Sequence, residues 1–253
     1  MQAAKKPDYG LDAPGVVLTL GLVALVGLIL FVTAAAGLWS GNIGGVSVAG
    51  TGIAFAVTCG STSLFMIYAS KFGKVRDREK LLNLIPWRGD EQVLDVGCGR
   101  GLMLIGAAKK LKAGRATGID IWQTQDLSGN RPEATIENAQ LEGVSDRIEI
   151  QTADMREMPF PDGTFDSIVS SWAVHNLYDE KDRAKAMREI ARVLKPGGWL
   201  LLRDIKHGSQ YAAVLSAAGL PVRRADNRFL SVLSTLWTFG GVRPVVLVGQ
   251  KAA

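Results

Sequence analysis

Two long apolar stretches stand near the start of the chain, and no Asp, Glu, Lys or Arg occurs between Asp12 and Lys71. The first covers residues 14–39. The second covers residues 43–70 and is less hydrophobic because it is richer in Gly, Ser and Thr. About 20 apolar residues are enough for a helix to cross the hydrocarbon core of a bilayer. Since only the short turn SGN separates the two stretches, residues 14–70 are predicted to form a transmembrane helical hairpin, whose small residues favour close helix packing.

Charged residues on both sides of this hairpin predict its orientation. Lys5 and Lys6 precede it, and Lys71, Lys74 and Arg76 follow it. Because basic residues concentrate on the cytoplasmic side of a membrane, both the tail of residues 1–13 and the rest of the chain are expected in the cytoplasm. Two alternatives stay open: a cleaved signal peptide, and a re-entrant or interfacial hairpin that does not fully cross.

Behind the hairpin the pattern changes to short apolar runs that alternate with helical segments. Residues 71–90 predict a linker helix that stops before Pro86, and residues 91–253 then form one domain. Such alternation is typical of an α/β fold with a mostly parallel sheet and helices on both faces. The predicted strands are residues 92–97, 116–121, 147–154, 165–172, 199–205, 221–226 and 244–250, and the predicted helices are residues 102–112, 133–142, 182–194 and 210–217.

Ligands of parallel α/β sheets bind at the carboxyl ends of the strands. This rule predicts that the ligand-binding site lies along one rim of the sheet. The residues that fall there are Gly97, Asp120, Asp154 and Ser171.

The sequence VLDVGCGRG, residues 93–101, places three glycines behind the first strand of this domain. Glycines let a ligand approach the backbone closely, and the helix that follows offers free N–H groups. A dinucleotide fingerprint, G-x-G-x-x-G, would need a Gly or Ala at Leu102, so this pattern is disfavoured. Asp95, two residues before Gly97, suits the cationic end of a ligand, such as an ammonium or a sulfonium, better than a pyrophosphate.

Several motifs in order across residues 84–202 resemble those of class I S-adenosylmethionine (SAM)-dependent methyltransferases, in the type 11-like group. They are VLDVGCGRG, GIDI, TADMREMPFPDGTFD, FDSIVSSWAVHNL and REIARVLKPGGWLLL. The resemblance implies a Rossmann-like sandwich with a mostly parallel seven-stranded sheet. It also implies a methyltransferase activity with SAM as the cofactor.

The same resemblance implies roles for residues along the rim. Asp120 would accept hydrogen bonds from the ribose hydroxyls, and Asp154 or the Met155 N–H would meet the adenine edge. The alternatives are that Asp120 caps a turn and Asp154 caps a helix. Trp122 either packs beside the adenosine, as Ile121 would, or belongs to the core. The implied cofactor-binding residues are Asp95, Gly97, Cys98, Gly99, Gly101, Asp120, Ile121, Asp154, Met155 and Ser171.

The residues that contact the methyl acceptor are expected in SSWAVHN, directly behind the fourth strand. The two candidate catalytic residues are His175, as a base or as a residue that orients the loop, and Trp172, as a stacking surface or a core residue. The insert of residues 122–135 either covers the cofactor or is a surface loop. The apolar segment of residues 228–241 borders the acceptor, rests on a membrane or packs on the sheet edge.

Composition narrows the set of partners. The net charge is +5, but the basic residues are interspersed with acidic ones. This favours a solvated mixed surface over a nucleic-acid-binding stripe. Cys59 and Cys98 predict neither a disulfide framework nor a metal site.

The sequence thus predicts a membrane-anchored methyltransferase of a small, lipophilic acceptor, such as a quinone precursor, an isoprenoid or a lipid. Two alternatives remain: a tethered methyltransferase of a soluble metabolite or a protein, and a SAM-binding membrane module without catalysis.

Overall fold

The computed structural model describes residues 5–38, 42–43, 45–238 and 241–253. The chain divides into two compact units. One comprises Gly10–Lys74 together with Gln123–Gly129. The other comprises the residues up to Tyr9, Val75–Trp122 and Asn130–Ala253.

The first unit contains the predicted hairpin. Helix α1 is Pro14–Ala35, with a proline in its first turn, and helix α2 is Val48–Tyr68. Ser47 caps α2, because its hydroxyl accepts a hydrogen bond from the Gly50 N–H. A two-residue antiparallel ribbon, β1 (Asn42–Ile43) with β2 (Val46–Ser47), precedes α2. A π-helical turn, Ala69–Gly73, follows it. Most of the predicted SGN turn, at residues 40 and 41, lies outside the described residues, as does residue 39.

The backbones of α1 and α2 touch at a pair of glycines. A Cβ atom on Gly27 would lie 2.6 Å from the carbonyl oxygen of Gly52, and a Cβ on Gly52 would lie 2.6 Å from the carbonyl oxygen of Gly27. Ser63 of α2 is buried and donates a hydrogen bond to the Val17 carbonyl oxygen across the pair. The predicted close packing through small residues is therefore confirmed.

The outer surfaces of the two helices are apolar and exposed. Both helices are long and apolar enough to cross a membrane, and few of their residues are buried. The exposed large side chains are Val16, Leu18, Leu22, Val23, Leu25, Val26, Leu28, Ile29 and Val32 in α1, and Phe55, Val57, Leu64, Phe65, Ile67 and Tyr68 in α2.

The start of α1 is bonded to residues 126–128, which come from far along the chain. Asp12 and Leu127 form an antiparallel bridge, and the Ala13 N–H donates to the carbonyl oxygen of Asp126. The carboxylate of Asp12 also accepts a hydrogen bond from the Ser70 hydroxyl and forms an ion pair of 2.8 Å with Lys74. Half of the predicted insert of residues 122–135, namely Gln123–Gly129, thus belongs to the hairpin unit.

The second unit is built on a seven-stranded sheet with the order β5-β4-β3-β6-β7-β9-β8. The first five strands in that order are parallel, and β9 and β8 are antiparallel additions at one edge. This arrangement confirms the predicted Rossmann-like methyltransferase sandwich. The strands are β3 (Gln92–Val96), β4 (Arg115–Asp120), β5 (Ile148–Thr152), β6 (Phe165–Ser171), β7 (Leu194–Asp204), β8 (Val222–Arg224) and β9 (Val245–Gln250).

Helices cover both faces of the sheet. Because the central strands are buried on both sides, they consist of nearly continuous apolar runs. In β3, for example, Leu94 and Val96 join the core beneath α6 and α7, whereas Val93 joins the opposite core beneath α3 and α4. The helices are α3 (Lys74–Leu82), α4 (Leu102–Lys110), α5 (Pro132–Leu141), α6 (Glu180–Val193), α7 (Gly208–Ala217) and α8 (Arg228–Trp237).

One boundary differs clearly from the sequence prediction. Strand β7 begins at Leu194 instead of Trp199, and therefore runs through the KPGG sequence. Leu194 pairs with Phe165 of β6, and the register shifts between Phe165 and Ser167 absorb the glycines as an irregularity.

Candidate functional site

The glycine-rich bend between β3 and α4 is held from behind by hydrogen bonds. The N–H groups of Gly97 and Cys98 both donate to the carbonyl oxygen of Ile119 in β4, at 2.9 and 3.0 Å. The hydroxyl of Thr135, in α5, donates to the Gly99 carbonyl oxygen at 2.6 Å. Asn138 likewise donates to the carbonyl oxygen of the residue after Gly99, at 2.9 Å. These bonds fix the bend before any ligand arrives.

Gly97 lies at the most crowded point of the bend. Its φ of 72° is in the left-handed region that favours glycine. A Cβ atom here would lie 2.3 Å from the Cβ of Ala173 and 3.6 Å from the Cε of Met155. The bend therefore approaches the segment behind β6 and the segment behind β5 without any side chain between them.

Asp95, near the end of β3, has a buried carboxyl group. Its side chain is 1% exposed, and neither carboxylate oxygen accepts a well-formed hydrogen bond from the described residues. Burial raises the pKa of Asp95 to about 8, the Leu104 N–H partly opposes this shift, and the nearby Asp120 adds to it. A buried, unpaired carboxylate costs free energy that a cationic ligand group would offset.

Asp120, at the end of β4, points its carboxylate at the same bend. One oxygen accepts from the Gly99 N–H at 2.8 Å, and the other accepts from the Trp122 N–H at 2.6 Å and the Asn130 amide at 3.2 Å. An ionised carboxylate has about four acceptor sites, so capacity remains for ligand hydroxyls. Asp120 thus connects the glycine bend with the loop behind β4 through hydrogen bonds.

Ile121 and Trp122 continue from Asp120 along the rim. Ile121 is an exposed apolar side chain, and the Trp122 indole N–H donates to the Thr152 hydroxyl at 2.8 Å. Trp122 also has a φ of 60°, which is unusual for a residue other than glycine.

The carboxylate of Asp154 is already paired. The guanidinium of Arg156 contacts both of its oxygens at 2.6–3.0 Å and also pairs with Asp182 at 2.6 Å. Hydrogen bonding to Arg156 lowers the pKa of Asp154, so this carboxylate stays ionised. Met155 is half-buried against the core beneath α6 and lies close to Gly97, so it is the neighbour of Asp154 that borders the bend.

The sequence-predicted cofactor residues therefore come together at one edge of the sheet, with Cys98 buried in the bend and Ser171 at the end of β6. SAM fits the donors and acceptors present. Asp95 supplies an anion for its cationic end, the bend supplies close backbone approach, and Asp120 supplies acceptors for hydroxyls.

Trp172 lies directly behind β6 and is held by β7. Its N–H donates to the carbonyl oxygen of Arg203 at 2.9 Å, and the Arg203 guanidinium stacks on its ring, 4.8 Å from the centroid. Its φ is 56°. Among the described residues other than glycine, four have a positive φ; Trp122, Trp172 and His207 all follow parallel strands at this rim. Such conformations persist where the surrounding structure enforces them, and they cluster at functional sites.

His175 lies in a 3-10 turn, Val174–Asn176, and is paired with Asp204 at the end of β7. The His175 Nδ1 is 2.5 Å from one Asp204 oxygen, and the His175 backbone N–H donates to the other at 3.0 Å. Asp204 is not among the site residues predicted from the sequence. The signal was present, because Asp204, like Asp120, is an acid at the carboxyl end of a parallel strand.

Comparison with known proteins agrees with this geometry. Residues 94–202 match the family described as "Methyltransferase domain". The 27-O-demethylrifamycin SV methyltransferase of Amycolatopsis mediterranei is 35% identical over 142 residues, which are 56% of this chain and 46% of that protein. A demethylmenaquinone methyltransferase of Symbiobacterium thermophilum is 35% identical over 113 residues, which are 44% of this chain and 41% of that protein.

A solved structure agrees with the fold. The geranyl diphosphate C-methyltransferase of Streptomyces coelicolor A3(2), in complex with Mg²⁺, geranyl diphosphate and S-adenosyl-L-homocysteine, has a TM-score of 0.56 at 14% identity. The match covers 75% of this chain and 84% of that one, and it shows the fold alone. This chain spans less than half the length of the two curated relatives.

Proposed function

We propose that this chain, whose residues 94–202 match the methyltransferase-domain family, is a membrane-anchored, SAM-dependent enzyme that methylates a small, lipophilic acceptor. The observation that carries the proposal is the buried, unpartnered carboxylate of Asp95 beside the glycine bend. A cationic ligand group would stabilise the ionised form of this buried carboxyl group, and SAM has both an ammonium and a sulfonium.

The residues of the rim divide the work of holding SAM. Asp95 meets the positive charge, and the bend at Gly97 and Gly99 admits the ligand to the backbone. Asp120 accepts from the ribose hydroxyls, as the family resemblance implies. Arg156 forms hydrogen bonds with both oxygens of the Asp154 carboxylate, so we assign the adenine contact to the Met155 N–H. Asp154 would then stabilise this turn.

SAM supplies an activated methyl group on sulfur, so the protein mainly has to align an acceptor with it and exclude water. Trp172 and His175 follow β6, the neighbour of the strand that carries Asp95, and this supports a role for them on the acceptor side of the rim. Trp172 is held rigidly by Arg203 and offers an aromatic surface for an acceptor.

The hairpin is proposed to cross the membrane twice. Its apolar side chains face outward in both helices, which a soluble core helix would avoid. A signal peptide would explain α1 but not α2. The basic residues at both ends support a cytoplasmic location for the tail and the methyltransferase domain.

A membrane anchor favours an acceptor that is concentrated in the membrane, since tethering raises its effective concentration. The names of two similar proteins concern lipophilic compounds, demethylmenaquinone and geranyl diphosphate. Quinone precursors, isoprenoids and lipids are therefore the proposed class.

Transfer of label from methyl-labelled SAM into native membranes tests this function. The full-length protein is compared with Asp120→Ala and with Asp95→Asn, which keeps the shape of the side chain. Label in the organic phase that both substitutions abolish would support the proposal. Label only in water-soluble compounds or in protein would favour the tethered enzyme of a soluble acceptor. SAM binding without any transfer would favour the non-catalytic module.

A further inference from the structure

Helix α8 turns an apolar face away from the methyltransferase domain. The large side chains of this face recur every three or four residues, a spacing that places them on one side of a helix. They are between 46% and 70% exposed, and they are Phe229, Val232, Leu233 and Leu236. A surface helix of a soluble protein normally buries such a face. Within the described part of the chain, nothing covers the apolar face of α8.

The polar side of α8 is the side that is bonded to the domain. The Ser231 hydroxyl donates to the carbonyl oxygen of Pro244 at 2.8 Å. The hydroxyl of Thr238, directly behind the helix, accepts from the Val242 N–H at 2.9 Å. Because successive residues of an α-helix are turned by roughly 100°, Ser231 and Thr238 lie opposite the apolar face. The helix is therefore oriented in the reverse of the usual way, with its hydroxyls inward and its apolar face outward.

The segment that contains α8 leaves and rejoins the sheet at the rim where the predicted cofactor residues lie. Strand β8 ends at Arg224, and β9 begins at Val245, which pairs with Asp204 at the carboxyl end of β7. The Arg243 N–H donates to the carbonyl oxygen of Ile205, directly behind β7, at 2.7 Å. Helix α8 is therefore connected to the sheet at the same end as the predicted SAM site.

The charge around α8 favours an anionic surface. Between Val222 and Pro244 the chain has four arginines and a single acid, Asp226. Asp226 forms an ion pair of 2.7 Å with Arg224, so this segment has no acid to balance its other arginines. Arg223 and Arg243, on either side of the helix in the sequence, are exposed. Basic amphipathic helices bind in the headgroup region of bilayers that contain anionic lipids.

A bilayer also fits the rest of the chain better than a second copy of the protein does. The same chain has two helices that are long and apolar enough to cross a membrane. Tethering by these helices would raise the effective concentration of lipid at the surface of the domain, so a weak additional contact becomes favourable. Two copies of this basic segment would instead repel each other across an interface.

We propose that α8 is an interfacial membrane helix whose apolar face enters the headgroup region of an anionic bilayer. This rests on the proposed membrane anchor, which brings the domain to the lipid, and it adds a second contact outside the hairpin. Because α8 is joined to the sheet at the rim, the docked helix holds the SAM site next to the lipid that contains the acceptor. A lipophilic acceptor then reaches the site from the interface without passing through bulk water.

Photolabelling from within the lipid tests this contact. The full-length protein is placed in nanodiscs of phosphatidylcholine and phosphatidylglycerol, with a phosphatidylcholine that carries a diazirine in its acyl chain. Irradiation, proteolysis and mass spectrometry then identify the labelled residues. We expect label in α8 as well as in the hairpin, and none at Leu141, an exposed leucine at the end of α5. Label in the hairpin without label in α8 would overturn the inference.

The same spectrum separates this inference from the proposed function. Label in α8 without label in the hairpin would support the interfacial helix and overturn the spanning hairpin. Neither signal depends on methyl transfer, so the absence of enzymatic activity would leave the result for α8 unchanged.

One pair of variants tests the apolar face. Phe229→Glu combined with Leu236→Glu should abolish the label in α8, because both side chains would carry a charge into the lipid. Both positions are mostly exposed, so the melting temperature of the domain should not change. Leu141→Glu is the matched control and should leave the label in α8 unchanged. Label that persists in the double glutamate variant would overturn the assignment of this face.

A second pair of variants tests the charge. Arg223→Gln combined with Arg243→Gln should lower the label in α8 to the level found in nanodiscs of phosphatidylcholine alone. Arg115→Gln, at an exposed arginine at the opposite end of the sheet, should not lower it. Equal labelling of α8 in both lipid compositions would overturn the preference for anionic lipid.

The oligomeric state tests the alternative occupant of the apolar face. Sedimentation of the detergent-solubilised protein should find the same state for the unsubstituted chain and for Phe229→Glu combined with Leu236→Glu. A dimer that this double variant converts to a monomer would make α8 an interface between copies and would overturn the lipid assignment.

Discussion

A Cβ atom on Gly97 would lie 2.3 Å from the Cβ of Ala173, closer than any two such atoms can pack. The site therefore depends on a missing side chain as much as on those that are present. The bend and the loop behind β6 meet here, so a side chain at residue 97 would force them apart.

Gly97→Ala is expected to abolish SAM binding, because the added methyl group pushes Ala173 and the bend apart. Gly197→Ala is a matched control. Gly197 has a similar φ of 76°, but a Cβ there would meet nothing within 4 Å. Both variants bear the strain of a left-handed alanine, about 1–2 kcal/mol. Calorimetry should find binding lost only in Gly97→Ala, and equal binding by both would contradict the close-contact argument.

Ligand binding should release a proton from Asp95. Its pKa of about 8 in the free protein means that the carboxyl is mostly protonated at pH 7, whereas a cationic ligand requires the carboxylate. Affinity for S-adenosylhomocysteine should therefore rise as the pH increases from 6 toward 8. Calorimetry at pH 7 in two buffers of different ionisation enthalpy measures the released proton directly.

Two controls define the source of that proton. Asp95→Asn should bind more weakly and show no dependence on the buffer. The ligand 5′-methylthioadenosine, which lacks the ammonium, should release no proton from the unsubstituted protein. Proton release with Asp95→Asn would assign the effect to another group.

The same pKa shift predicts how the ligand-free domain responds to pH. Asp95 has a pKa near 3.8 when unfolded and about 8 when folded, so the folded state binds the proton more tightly. This contribution to stability is fully present below pH 3.8 and is lost as the pH rises toward 8. Asp95→Asn does not titrate and therefore does not lose this stability. The melting temperature of the variant minus that of the unsubstituted protein should be larger at pH 8 than at pH 5. A constant difference would contradict the assignment.

The hairpin should depend on its glycine pair. Gly27→Leu puts a large side chain where only 2.6 Å separates a Cβ from the Gly52 carbonyl oxygen, so α1 and α2 must move apart. Gly15→Leu, in the same helix but with nothing within 4 Å of its Cβ position, is the control. Cysteine pairs placed across the helices should crosslink in Gly15→Leu and fail to do so in Gly27→Leu.

Residues before the hairpin should stabilise the methyltransferase domain. The Tyr9 hydroxyl donates to Glu142 at 2.5 Å and accepts from Arg78 at 3.1 Å, and all three side chains are largely buried. Tyr9→Phe leaves Arg78 and Glu142 each short of a bond, which should cost about 1–3 kcal/mol of unfolding free energy. Tyr178→Phe, at an exposed tyrosine, should cost nothing measurable in the same denaturation experiment.

The local parts of the fold could be predicted from the sequence. Strand β3, the bend and Asp120 follow from short patterns, since hydrophobic period and glycine spacing act over a few residues. The partners of the bend could not be predicted in this way. Thr135 and Asn138 hold it from α5, and the carboxylate of Asp204 reaches His175 from another strand. Such contacts depend on which elements become neighbours in the sheet, which a single sequence does not encode locally.

The tail before the hairpin shows the same limit. Residues 1–13 carry no apolar period, so nothing in them marks Tyr9 as a core residue. Its burial depends on Arg78 and Glu142, which are distant in sequence and themselves charged. Conversely, the boundaries of β7 were missed because KPGG is a strong turn signal that the pairing of Leu194 with Phe165 overrides.

The bridge between Asp12 and Leu127 also bears on how such a protein can be recombined. The chain passes between its two units four times, after Tyr9, Lys74, Trp122 and Gly129. A crossover at a single point behind residue 74 would therefore give a chimaera whose residues 126–128 meet a foreign sequence at residues 11–13. A chimaera keeps the contacts of a new hairpin only when residues 10–74 and 123–129 are exchanged together. The hairpin and the loop behind Asp120 should therefore co-evolve as one module.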